Sequence, residues 1–136
     1  MLSASEIRIG VVVSRNDYRR IMDIATEIYA PLLRRGCRES NITLKYVPSD
    51  FHLALGTLFF AEYTDVDAVI ILMEPDNSPE YEAVLSGLTK LQIAWNMPIT
   101  IGDCTAASEA IEMVAMQNEM EAAAPEHISP DRKSIN

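Results

Sequence analysis

Four short runs rich in Val and Ile, at Ile7 to Val13, Ile42 to Val47, Ala68 to Met73 and Ile99 to Ile101, are separated by stretches long enough for a helix. Runs of this kind suit strands buried on both faces, a condition met in parallel sheets whose crossover helices cover either side. The segments between them have helical spacing. The first predicts a helix from about Asp17 to Arg35, with Ile21, Ile24, Ala25, Ile28, Leu32 and Leu33 as its apolar stripe, a bend or local break at Pro31, and Gly36 as the stop. A second helix starts near Ser49 or Asp50 and is expected to bury Phe51, Leu55, Leu58 and Phe59, with Gly56 permitting close backbone approach. The third has Ser78 as N-cap and Pro79 at the first helical position, and turns Tyr81, Val84, Leu85, Leu88, Leu91 and Trp95 inward. The fourth begins at Thr105. Strand and helix alternate throughout, which predicts an α/β fold: a central four-stranded parallel sheet with helices on both faces and right-handed crossovers.

Ligands in such sheets bind beyond the carboxyl ends of the strands. Here these ends are Ser14 to Asn16, Val47 to His52, Glu74 to Ser78 and Gly102 to Thr105. The turn after the third strand, Glu74-Pro75-Asp76-Asn77-Ser78-Pro79-Glu80-Tyr81-Glu82, leads into a helix N-terminus, where unpaired N–H groups and the helix dipole favour an anion. Its side chains oppose one. Like charges about 4 Å apart repel by roughly 1 to 4 kcal/mol at effective dielectrics between water and a protein surface. Four carboxylates at the turn therefore disfavour a phosphate. They also lack the Asp-x-Asp-x-Asp-Gly spacing of a calcium loop, so no metal site is assigned.

The formal net charge of −9 disfavours nucleic acid as a partner, because that affinity comes mainly from Lys and Arg neutralising phosphates. Most of the 11 basic residues lie between Arg8 and Lys45, whereas Lys90 is the single cation between Glu62 and Glu121. A basic region of one copy could meet an acidic region of the next. The fourth helix supports self-association independently. Its apolar residues fall on two sides, Ala107, Ala110, Ile111 and Val114 on one and Met113, Met116 and Met120 on the other, more than one small core can bury. No run approaches the roughly 18 apolar residues of a membrane span, and the start lacks the pattern of a secretion signal. Cys37 and Cys104 have no CxxC spacing and read as free thiols, so a cytoplasmic protein without membrane association is expected. At 136 residues the chain fits one domain, residues 1–124, followed by a tail, 125–136, expected to be disordered.

Several segments in order resemble the lumazine synthase family: Val11-Val12-Val13-Ser14, Leu32-Leu33-Arg34-Arg35-Gly36, Val47-Pro48-Ser49-Asp50-Phe51-His52-Leu53, Asp67-Ala68-Val69-Ile70, Ser78-Pro79-Glu80-Tyr81-Glu82 and Pro98-Ile99-Thr100-Ile101-Gly102. The resemblance runs from about Ile7 to Ala124, each piece falling on a strand end or helix start. It implies a flavodoxin-like three-layer α/β/α sandwich. It also implies a cofactor-free enzyme of riboflavin biosynthesis that joins a ribitylamino-pyrimidine to a four-carbon phosphorylated ketone. Its pockets are shared between subunits of a homopentamer, and some pentamers assemble into icosahedral shells.

Carried over position by position, the resemblance places Asn16 where the family stacks an aromatic ring on the pyrimidine. Ser49-Asp50-Phe51-His52 replaces the ribityl-binding Gly-x-Phe-Glu, retaining the Phe, and Asp76-Asn77-Ser78 matches the phosphate-holding Gly-x-Thr only in its hydroxyl. Glu80 stands at the general acid/base His, Met113 at the phosphate-binding Arg, and Ala115 to Met120 at the glycine-rich segment with its Lys. Ile101 lies in the matching strand-end segment. A guanidinium–phosphate contact is charge-assisted and often bidentate, so Met113 cannot replace it. Losing one positioned proton-transfer group typically costs roughly 10²- to 10⁴-fold in rate.

Little or no lumazine synthase activity is therefore expected. The first reading is a structural or regulatory oligomeric paralogue. A binding module for a flavin- or lumazine-like heterocycle comes second, followed by an enzyme with altered chemistry through His52 or Glu80. An active lumazine synthase is also carried as an alternative. His52 can equally be a partly exposed polar residue at a helix start, Glu80 a first-turn acid complementing the dipole, and Phe51 a core residue.

Overall fold

The computed structural model describes residues 3–15, 24–73, 78–102 and 104–125. Four parallel strands, β1 (Ile9–Ser14), β2 (Ile42–Val47), β3 (Ala68–Leu72) and β4 (Ile99–Ile101), form one sheet in the order β2-β1-β3-β4. The helices are α1 (Ala30–Arg34), α2 (Leu53–Tyr63), α3 (Pro79–Trp95) and α4 (Cys104–Ala123). The expected tail beyond Pro125 and the expected helical start from Asp17 lie outside the described residues.

Side-chain alternation divides the sheet into two packed faces. Ile9, Val11 and Val13 of β1 and Ala68, Ile70 and Leu72 of β3 pack with Ile28 and Leu32 and with Ala106, Ala107, Ala110 and Val114 of α4. Val12, Val69 and Ile71 point the other way, against Leu53 and Phe60 of α2 and Val84 and Leu88 of α3. The architecture is thus a three-layer α/β/α sandwich. Both β1 and β3 are buried along their whole lengths, as strands covered on both faces must be. β2 is an edge strand with an exposed middle, which accounts for Thr43, Lys45 and Tyr46 in an otherwise apolar run.

Local signals act as the sequence predicts. Gly36 takes φ +98° after α1, the Gly36 N–H donates to the Leu33 carbonyl at 3.0 Å, and the Cys37 N–H donates to that of Leu32 at 3.1 Å. This is the Schellman arrangement. Pro31 follows a π turn at Ala25–Tyr29, the local break expected of a residue without an N–H. Ser78 caps α3, its Oγ accepting from the Tyr81 N–H at 3.1 Å, with Pro79 next in line. α4 begins one residue earlier than expected, at Cys104.

The expected inward face of α2 is wrong. The helix buries Leu53, Thr57 and Phe60, while Phe51 is 84% exposed and Leu55 and Phe59 are 46% and 48% exposed. Backbone approach decides this: a Cβ on Gly56 would meet Val47 Cγ1 at 2.9 Å and Val12 Cγ1 at 3.2 Å, so the Gly56 side must face the sheet. Gly10 of β1 likewise leaves room for the Phe60 ring. On α3, Val84 and Leu88 are buried and Tyr81, Leu85 and Leu91 are half-buried, but Trp95 is 44% exposed near the helix end and does not turn fully inward. The two-sided α4 is observed, with Ala107, Ala110 and Val114 buried and Met113, Met116 and Met120 exposed.

Candidate functional site

The parallel strands bring their carboxyl ends to one edge of the sandwich. After β2, Pro48 and Ser49 lead into a single 3-10 turn, Asp50–His52, from which α2 departs. After β3, Met73 stays buried at the strand end and α3 starts from the Ser78 cap. The Arg15 N–H donates to the Val47 carbonyl at 2.8 Å, extending the β1–β2 pairing to this edge. Between the two helix starts lies a cavity of about 640 Å³, lined by Ser49, Asp50, Phe51, Ala54, Met73, Ser78, Pro79, Glu80, Tyr81, Ala83 and Val84.

The structure therefore brings Asp50, Phe51, Ser78 and Glu80 to one cavity, although they are far apart in sequence. Asp50 and Glu80 are exposed, and among the described lining residues there is no Lys, Arg or His. The Ser78 hydroxyl is engaged in capping α3. Phe51 is held out at the rim, its ring edge-on to that of His52 with centroids 5.4 Å apart and planes at 81°. The reading of Phe51 as core is excluded by its exposure.

The remaining expected positions lie elsewhere in a single copy. His52 faces an apolar groove of about 460 Å³ on the β2 side, with Val47, Leu55, Phe59 and Tyr63 among its walls and Lys45 at its margin. Ile101 lines a small hollow with Thr100 and Glu109 over β4. Met113 lines a groove between α3 and α4 with Met97, Met116 and Met120. Asn16 and Asn77 lie outside the described residues, as do Glu74 and Asp76 of the acidic turn. Among the described residues no group of three or more His, Cys, Asp or Glu side chains is placed to hold a metal ion.

Sequence reasoning did not single out the cavity's floor, Ala54 and Met73, or Tyr81 as a lining residue. It also placed Phe51, Leu55 and Phe59, three members of a stripe that Tyr63 completes, inside rather than out. All four are exposed, Tyr63 by 76%, and the Phe59 and Tyr63 rings lie 6.0 Å apart. Their regular spacing of four was the available signal, masked by a second apolar phase at Leu53, Thr57 and Phe60 on the same helix.

No family model matches the chain. Individual relatives do. The 6,7-dimethyl-8-ribityllumazine synthase of Parabacteroides distasonis is 32% identical over 108 residues, covering 73% of this chain and 66% of the relative. That of Aquifex aeolicus is 30% identical over 119 residues, covering 82% of this chain and 77% of the relative. A third, from Bacteroides fragilis, is 30% identical over 105 residues and 71% of each chain. This chain thus spans about two thirds to three quarters of the length of these relatives. Among solved structures, a de novo designed Rossmann fold protein is similar with a TM-score of 0.49 and 16% identity, covering 84% of this chain and 97% of that one. The extent and identity of the sequence matches, together with the order of strand-end segments, place the chain in the lumazine synthase family.

Proposed function

We propose that this protein keeps the fold and self-association of the lumazine synthase family but not its reaction, and that it acts as a structural or regulatory homo-oligomer of the cytoplasm. The observation that carries this reading is the lining of the strand-end cavity: two carboxylates, Asp50 and Glu80, and no cation among the described lining residues. A phosphorylated substrate would bring its charge against these groups without a guanidinium or ammonium among the described lining residues to hold it. Glu80, on the first turn of α3, brings a carboxylate rather than an imidazole to the position that corresponds to the family's acid/base histidine.

Self-association follows from apolar surface that one copy leaves uncovered. The α2 stripe and the Met113, Met116 and Met120 side of α4 belong to helices on opposite faces of the sheet. Two different patches meeting head to tail generate a ring where the rotation closes, and the family resemblance supports a pentameric ring, with a further shell as an extension. In such a ring Ile101 and Met113 of one copy would complete the strand-end cavity of the next.

The decisive experiment incubates the purified protein with the ribitylamino-pyrimidine and the dihydroxybutanone phosphate and follows lumazine formation by absorbance and fluorescence. Turnover at the rate of an ordinary family member would refute the proposal. Retention of a cavity of about 640 Å³ with an exposed aromatic ring supports a second reading, a binding module for a flat flavin- or lumazine-like heterocycle. The absorbance spectrum of untreated purified protein tests it, through any chromophore carried from the cell, and titration with riboflavin tests it directly.

A further inference from the structure

The strand-end cavity combines an apolar floor, aromatic walls and carboxylate side chains. Its floor is apolar, with Met73 and Val84 4% and 9% exposed. Two aromatic side chains, Phe51 and Tyr81, stand at its walls, and Phe51 offers an 84% exposed ring. The charged groups in its described lining are the carboxylates of Asp50 and Glu80. Its volume of about 640 Å³ lies within the range of small-molecule sites.

The three ligand charge classes fare differently here. An anion gains the apolar contact but lies against two carboxylates, and a neutral heterocycle gains contact and stacking alone. A flat organic cation gains contact, stacking, attraction to the ring faces and pairing with the carboxylates. We propose that this cavity binds a flat organic cation, a protonated amine or cationic heterocycle, in preference to neutral or phosphorylated relatives. The concave apolar floor and the two rings make the site, and Asp50 and Glu80 set the sign of its ligand. The proposal rests on the binding-module reading in using the same cavity, and it differs from that reading in the ligand's charge.

Fluorescence titration of the full chain with three probes tests it: proflavine, a flat tricyclic cation at neutral pH, riboflavin, which is neutral, and flavin mononucleotide, which is anionic. Two exposed carboxylates, each worth a surface ion pair, predict that proflavine binds roughly five- to twentyfold tighter than riboflavin, less so at high salt, with flavin mononucleotide weakest. The double substitution Asp50→Asn, Glu80→Gln should remove most of proflavine's advantage over riboflavin, and Phe51→Ala should weaken both. Asp50 and Glu80 are exposed, so an unchanged thermal midpoint is expected of the double variant and would show that it folds; for Phe51→Ala, whose ring belongs to the α2 stripe, an unchanged far-ultraviolet circular dichroism spectrum shows the same. Non-specific attraction to a chain of net charge −9 would survive the substitutions. Equal affinities for proflavine and riboflavin, or a proflavine affinity that the double variant leaves intact, would overturn the cation proposal and leave the neutral-heterocycle reading standing. Failure of all three probes to bind removes both.

Discussion

Replacing Gly10 with alanine sets a methyl group against the ring of Phe60. A Cβ built on Gly10 would lie 2.9 Å from Phe60 Cδ1 and 3.0 Å from both Cγ and Cε1. Carbon atoms in good contact sit at about 3.5–4.0 Å, so the ring must retreat by roughly 0.5–1 Å. It has little room to do so: Phe60 is 3% exposed and packed between α2 and the second face of the sheet. Overpacking of this kind costs about 1–3 kcal/mol. The alanine also narrows the unfolded ensemble, which favours folding by about 0.4–1 kcal/mol. The net expectation is a loss of about 1–2 kcal/mol, or roughly 4–8 °C in Tm for a domain of this size. Urea unfolding at one fixed protein concentration, with an unchanged m value, measures it without interference from mass action. Phe60→Leu alone should cost about 1–2 kcal/mol in lost packing. The double variant should cost less than the sum by at least about 0.5 kcal/mol, since the smaller side chain admits the methyl group. A Gly10→Ala protein as stable as the parent, or strict additivity in the cycle, would refute the close-contact reasoning.

Other outcomes are accessible to similar measurements. Ser78→Ala removes the acceptor of the Tyr81 N–H and should destabilise the fold by about 1 kcal/mol in urea unfolding, with Ser78→Asp restoring most of it. Hydrogen bonds from the Ser3 side chain and backbone hold the exposed Glu6 carboxyl below its ordinary pKa, so this contribution is present above the unfolded carboxylate value and is lost as pH falls through the lowered one. NMR titration should accordingly show the Glu6 pKa rising in Ser3→Ala. Leu55→Lys with Phe59→Lys on α2, or Met116→Lys on α4, should reduce the mass seen by light scattering toward the 15.1 kDa of one chain. A parent protein that is monomeric at every concentration tested would remove the assembly argument.

Much of the fold is legible in the sequence because its determinants are local. Each of the four strands is found within two residues of its expected position, since β-branched runs bounded by turns leave few alternatives. The Gly36 stop and the Ser78–Pro79 start depend on backbone conformations that only a few residues adopt readily, and both are present. The candidate site is legible in part. Asp50, Phe51, Ser78 and Glu80 follow from the rule that ligands lie beyond strand ends, and the order of parallel strands turns those distant residues into neighbours.

What could not be read is the rotation of α2 and the sharing of cavities. Leu53, Thr57 and Phe60 form one run at helical spacing, and Phe51, Leu55, Phe59 and Tyr63 form another. With both phases so largely apolar, periodicity gives no preference between them. Contact decides, because only the Gly56 side allows α2 to approach Val47 and Val12, and the aromatic stripe is left outward. The same long-range packing turns His52 into the apolar groove and Asp50 toward the strand-end cavity, although the two are separated by one residue. The sequence by itself determined the strands, the caps and the family, because these depend on residues close in the chain. Which side chains face one another across the cavity was decided only by the tertiary structure, because that depends on how closely two backbones can approach.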